Sequence, residues 1–254
     1  MSRVKYDEYT INDKTDRRNK RMTRREKASH VVEGQEFIRH GEPKPLTFKT
    51  QKQKEFHDSI YKNDQTLVFG PAGVGKTYIA VACAAYMYLT GKIQKIVITR
   101  PVVGTGRTIG LLPGDLNEKM GVWLAETIVL LKEQLGTGTY DIALKHGDIE
   151  IVALEHIRGR SFSNTFIFMT EAQNTTIEEM KALVTRIGED SKLVLDGDVL
   201  QSDLKEGNGM LWAIESIQDT YELQEYSGVV QFGIGDVVRS GLCAAWVRAI
   251  WSKR

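Results

Sequence analysis

Gly70, Gly73 and Gly75 precede Lys76 and Thr77 in the pattern Gly-x-x-x-x-Gly-Lys-[Ser/Thr]. Glycines let a backbone curl until successive N–H groups face a phosphate, and a helix starting near Lys76 adds its positive end. In such a loop Gly70, Pro71, Ala72, Gly73, Val74 and Gly75 wrap the phosphates of ATP, with Tyr78 the next residue of the binding segment. Lys76 reaches the terminal phosphates and the Thr77 hydroxyl coordinates Mg²⁺. From residue frequencies, a chance match in a chain this long is on the order of one in a hundred. The apolar run Thr66–Phe69 before the loop and the helical run from Tyr78 after it supply the strand–loop–helix context. They disfavour a glycine-rich turn that binds nothing.

Hydrolysis at such a loop also needs a carboxylate near the metal and a base for the attacking water. Phe166 to Asn174 reads as a strand whose end carries Glu171 and Gln173. Glu171 has the position of the base, and Gln173 that of a sensor of the terminal phosphate. The next strand ends in Asp196-Gly197-Asp198, followed by Gln201, which completes the catalytic set. Turn formation alone explains polar residues at any one strand end; the reading rests on the constellation.

Something must hold these groups at one edge. Thr66–Phe69, Lys95–Thr99, Ile149–Val152, Thr165–Met169 and Lys192–Leu195 are short, apolar, mostly β-branched runs. Between them lie segments with helical spacing, among them Lys76–Leu89, Leu116–Glu133 and Ile177–Ile187, the last opened by a capping box of Thr176 and Glu179. Unbroken apolar strands alternating with helices predict an α/β fold, a mostly parallel sheet with helices on both faces. Ligands of such sheets sit beyond the carboxyl ends of the strands, where the motifs lie.

Composition narrows the function classes. The 254 residues are 41% apolar and 26% charged with a net charge of +1, so the molecule as a whole is not a polycation. Positions 14–27 nevertheless hold eight Lys or Arg against Asp16 and Glu26, a block that reads as a solvated tail or as an arm for phosphate backbones. Residues 1–45 form a basic, polar N-terminal arm and 46–254 the ATPase domain. Cys83 and Cys243 sit among apolar residues, as buried packing groups of a reducing compartment do. There is no leader-like apolar run, and Ile79–Tyr88 is too short to span a bilayer, so a soluble, cytoplasmic protein without a membrane partner is expected. The five histidines show no metal-ligand spacing, and the aromatics fall in helical segments as core residues do.

Taken together, the loop Phe69–Thr77 and the segments Thr99–Pro101, Leu112–Met120, Arg158–Arg160, Glu171–Thr176, Thr185–Gly188, Gly197-Asp198 with Gln201, and Asp236–Arg239 resemble the PhoH family. Its members are RecA-like P-loop NTPases related to the ATPase core of superfamily 1 helicases. The resemblance covers about Leu46 to Trp251 and implies ATP hydrolysis with RNA, or another single-stranded nucleic acid, as partner. It further implies that Gln53 reads the adenine edge and that Arg100 and Arg160 are candidates for phosphate or nucleic-acid contacts. Arg239 falls where helicase-like proteins supply an arginine to the γ-phosphate. With only one RecA-like unit in the chain, that arginine is expected from a neighbouring subunit of a head-to-tail ring, such as a hexamer. Relatives read Asp-Glu-Ala-Gln and Thr-Gly-Asp at the two strand ends; here these are Thr170-Glu171-Ala172-Gln173 and Asp196-Gly197-Asp198. An exchange between facing positions is expected to leave Asp196 supporting Mg²⁺ in place of the missing aspartate.

Three functions follow as alternatives: an ATP-driven remodeller of RNA, possessing or lacking helicase activity; an ATP-dependent switch or scaffold without motor activity; and a small-molecule kinase. Glu171 and Gln201, as parts of a water-activating site, argue against the kinase.

Overall fold

The computed structural model describes residues 41–102, 116–204 and 206–251. The basic block 14–27, all of the proposed arm before residue 41, and residues 112–115 of Leu112–Met120 lie outside the described residues. Six strands form one sheet: β1 Gln65–Phe69, β2 Lys95–Arg100, β3 Ile149–Ala153, β4 Thr165–Met169, β5 Lys192–Gly197 and β6 Ser227–Gln231. Their order is β3-β2-β4-β5-β1-β6 and every pairing is parallel. β6 was not among the expected strands; its Ser-Gly-Val-Val-Gln sequence is short, begins with two residues of low strand preference, and lies half-exposed at the sheet edge.

Alternation along the strands divides the core between two faces. Leu67, Val97, Ile167, Met169, Leu193 and Leu195 face a cluster with Met180 and Leu183 of α6 (Ile177–Val184) and Met210, Ala213 and Ile217 of α7 (Gly209–Asp219). Val68, Ile96, Ile98, Phe166, Phe168 and Val194, equally buried, point to the opposite face. That face is covered by α2 (Lys76–Leu89), which packs against α1 (Gln51–Lys62) and against α4 (Ala125–Leu135). The segment expected as one helix from Leu116 to Glu133 is two, α3 (Leu116–Trp123) and α4, because Leu124 leaves helical geometry at ψ 12. α5 (Thr137–His146) leads into β3, and α8 (Tyr221–Tyr226) into β6.

The predicted capping box is present: Thr176 accepts from the Glu179 amide and Glu179 accepts from the Thr176 amide. α6 stops at Val184, short of the expected Ile187, and the chain turns so that Phe162 can bridge to Ile187. The last helix, α9 (Gly241–Trp251), follows a turn at Ile234–Asp236. Among the described residues no helix is long and apolar enough to cross a membrane.

Candidate active site

The loop between β1 and α2 owes its shape to glycine. Gly70, Gly73 and Gly75 have φ of 142°, 82° and 90°, values that other residues adopt only with strain. A Cβ at Gly70 would meet the Phe232 carbonyl at 2.6 Å, so the loop is also sterically closed to larger residues there. Gly75 caps α2 with no side chain over the helix end, which leaves first-turn amides for an anion.

Two braces hold the loop from outside: the Val238 amide donates to the Gly73 carbonyl at 3.0 Å, and Gln53 Nε2 donates to the Val74 carbonyl at 2.9 Å. Gln53 is buried, and its Oε1 accepts from the Lys49 amide at 2.7 Å. It braces the loop from beneath and does not line the cavity above it.

Lys76 Nζ turns back onto the Gly70 and Pro71 carbonyls at 2.9 and 3.1 Å and stands 3.7 Å from Asp196 Oδ1. The Thr77 hydroxyl donates to Asp196 Oδ2 at 2.9 Å. Strand pairing sets this up: Asp196 lies beside Val68 in the β1–β5 register, which carries it to the foot of the loop. The β4–β5 register pairs Met169 with Leu195, which puts Thr170 next to Asp196. The two positions at which this chain departs from its relatives' pattern are therefore neighbours.

Burial pushes the Asp196 carboxyl above its usual range; Lys76 and the Thr77 hydroxyl pull it back, and Glu171 adds to the rise. A buried carboxylate beside a threonine hydroxyl fits a hard divalent cation. Among the described residues no group of three or more His, Cys, Asp or Glu is placed to hold a metal ion.

Glu171 sits past β4 in the left-handed region at φ 57°, strain of the kind that active sites retain. Its Oε2 accepts from Gln173 Nε2 at 2.7 Å, while Gln173 Oε1 accepts from the Asp198 amide at 3.0 Å. Gln201 donates to Asp198 Oδ2 at 2.6 Å. Ser202 and the Asn208 side chain both donate to the Gln173 carbonyl at 2.8 Å. The loops after β4 and β5 are thus cross-tied, with Gln173 as the tie. The sensor role read for Gln173 is joined here by an orienting bond to the candidate base. Gln201 reaches the site through Asp198.

These groups line one cavity of about 350 Å³, shared by Ala72, Gly73 and the loop residues from Gly75 to Tyr78 with Glu171, Asp196, Gln201 and Arg239. Glu126 and Leu130 of α4 also line it, and sequence reasoning missed them because a lone acid and a lone leucine on a helix carry no motif. Arg239 lies over its own chain's loop, its Cγ 2.5 Å from where a Cβ on Gly73 would stand. Arg239 thus reaches the cavity of its own chain. Among the described residues its guanidinium has no ion-pair partner.

Arg160 is differently engaged: it pairs with Glu150 at 2.5 Å and stacks on Phe162. Burial alone would raise Glu150, but hydrogen bonds from Lys95 and Arg160 hold it below its ordinary value. Arg100 donates to the Trp123 carbonyl at 3.3 Å and lies over its ring. Neither arginine lines the cavity. Cys83 is buried, and burial pushes its thiol up to about 12; Cys243, expected to be buried as well, is exposed. The expectation of core aromatics fails at Tyr221 and Trp246, which are 76% and 63% exposed.

Comparison with known proteins gives the family. The PhoH-like protein of Bacillus subtilis strain 168 is 36% identical over 217 residues, 85% of this chain and 67% of that one. Protein PhoH of Escherichia coli K12 is 34% identical over 209 residues, 81% of this chain and 58% of that one. The PhoH-like protein of a Synechocystis strain is 37% identical over 156 residues, 61% of this chain and 48% of that one. The chain thus spans about half to two thirds of the length of these relatives. Among solved structures, the large terminase of bacteriophage HK97 aligns at a TM-score of 0.43 and 11% identity, covering 76% of this chain and 40% of that one, too distant to add to the argument. The family model described as PhoH-like protein matches residues 45–251, and the chain belongs to that family.

Proposed function

We propose that this chain binds ATP with Mg²⁺ at the loop Gly70–Thr77, hydrolyses it, and couples turnover to single-stranded RNA. The observation that carries the hydrolytic reading is the Thr77–Asp196 hydrogen bond of 2.9 Å in a cavity that also holds Glu171 and Lys76. Thr77 and Asp196 would hold Mg²⁺, Asp196 directly or through a water. When bound, the metal neutralises charge on the terminal phosphates. The chain's own groups do the rest. Loop amides and Lys76 bind the phosphates, Gln173 fixes Glu171, and Glu171 takes the proton of the attacking water. Arg239 lies at the loop, positioned to offset charge on the transferring group.

RNA as partner rests on the eight cations of residues 14–27 and on the resemblance set out above. A switch that binds ATP without doing work is the second reading, favoured by Lys76 and Asp196 being already paired within the chain. Steady-state turnover with and without single-stranded RNA separates the two, with Lys76→Ala as control. The remodeller requires turnover that rises with RNA and is lost in Lys76→Ala by on the order of 10²–10³-fold. Turnover indifferent to RNA would leave the switch, and unchanged turnover in folded Lys76→Ala would remove the ATPase.

A further inference from the structure

Four rings follow one another on the face formed by α1 and α2. His57 and Tyr61 stand one turn apart on α1, and Tyr86 belongs to α2. Phe48, just ahead of α1, meets His57 with ring centres 5.0 Å apart. His57 meets Tyr61 at 4.8 Å, and Tyr61 meets Tyr86 at 6.2 Å. The planes are tilted against one another by 60°, 43° and 71° rather than stacked. Tyr86 is exposed and the other three are half-buried, so the row is reached from solvent.

These rings wall a cavity of about 500 Å³, which the segment Pro43–Leu46 also lines. Among the described residues two lysines, Lys44 and Lys92, line it and no carboxylate does. Neither lysine has an ion-pair partner among the described residues. The nearby Asp58 carboxylate is engaged by His57 Nδ1 at 2.9 Å. Lys92 Nζ stands 5.4 Å from the centre of the Tyr61 ring and 5.6 Å from that of Tyr86. Both faces are therefore covered by a flexible lysine arm, which swings aside more easily than a packed side chain.

Aromatic faces with two unpaired cations and no acid select a ligand that is flat and anionic. A nucleotide is both: its base stacks on rings and its phosphate meets ammonium groups. The volume suits one such unit, as a splayed single strand presents and a base-paired duplex does not. Lys44 also continues the stretch of chain that carries the eight cations of residues 14–27. The cavity is separate from the nucleotide site. Tyr86 lies ten residues beyond Lys76 along α2, about 15 Å at the rise of a helix, and no residue lines both cavities.

We infer that this cavity grips one nucleotide of a single-stranded RNA, with the base against Tyr61 and Tyr86 and the phosphates on Lys44 and Lys92. The site rests on the reading of RNA as partner given above, and it puts the grip on α1 and α2, at the end of α2 opposite the phosphate loop.

Fluorescence anisotropy of a labelled single-stranded RNA of mixed sequence reads binding to the full-length protein, with calorimetric melting as the check on folding. Tyr86→Leu keeps apolar bulk but removes the ring, and should weaken binding on the order of tenfold; Tyr86→Phe should not. Lys92→Gln should flatten the slope of log affinity against log salt by about 0.7, one phosphate's worth. Turnover of ATP without RNA should stay at the wild-type value in all three. If Tyr86→Leu does not fold, Lys44→Gln with Lys92→Gln carries the test through the salt slope. A wild type that binds no RNA removes the partner, and this site with it. Binding in the wild type that folded Tyr86→Leu and Lys92→Gln leave unchanged overturns this site alone. Nucleoside monophosphates that compete as tightly as the RNA itself would make the cavity a site for free nucleotides, and overturn the grip on a strand.

Discussion

At the scale of single residues, the site turns on Thr170 and Asp196. A lone aspartate at position 196 could be incidental, and a threonine at 170 could mark a defective hydrolase. Their adjacency across β4 and β5, and the bond from Thr77 to Asp196, give both a common explanation. Asp196→Thr is expected to lower Mg²⁺-dependent turnover on the order of 10²-fold, by removing the carboxylate nearest the metal-binding hydroxyl. Adding Thr170→Asp should restore at least a tenth of what was lost, in a Mg²⁺ titration of initial rates. A double variant no better than the single one would end the exchange idea. Loop residues and the two strand ends were legible in sequence because each is a short, contiguous pattern with a chemical reason. Glu126, which joins the same cavity from α4, was not, since its place depends on where α2 and α4 cross.

At the scale of elements, α1 is tied to the loop by a single side chain. Removing Gln53 leaves the Val74 carbonyl and the Lys49 amide without their partner, a loss of about 1–3 kcal/mol for buried groups. Gln53→Ala should therefore weaken ATP and GTP binding by similar factors and lower the melting temperature, as fluorescence titration and calorimetry would report. A selective loss of ATP over GTP with unchanged melting would instead return Gln53 to reading the base. Strands β1, β2, β4 and β5 were readable because their middles are apolar on both faces, and β3 because Ile149, Ile151 and Val152 carry the run past Glu150. β6 was not, being an edge strand that begins Ser-Gly, and the Leu116–Glu133 helix was read too long because nothing in its composition marks the break at Leu124.

Over the whole molecule, two expectations concern how parts combine. Arg239 belongs to the cavity of its own chain, so Arg239→Ala should lose turnover that mixing with Lys76→Ala chains does not return. A finger supplied between subunits would give part of it back, since each variant would complete the other's site. The second concerns residues 14–27. Each phosphate neutralised on a single strand contributes about −0.7 to the slope of log affinity against log salt. Deleting residues 1–30 should flatten that slope in an RNA-binding titration while leaving basal turnover largely intact. Unchanged affinity and slope would make the block a solvated tail.

Strand order sets how far apart the loop and Glu171 must stand in this sheet. β5 lies between β1 and β4, so the phosphate loop and the strand that bears Glu171 are never adjacent. Two backbone ladders, about 4.8 Å each, fix their separation. That interval is a gauge made of main chain, and no point substitution can retune it; only inserting or deleting a strand would, in one coarse step. Asp196, at the end of the middle strand, meets the loop through the Thr77 hydroxyl, so the acid nearest the loop is one strand away and Glu171 two.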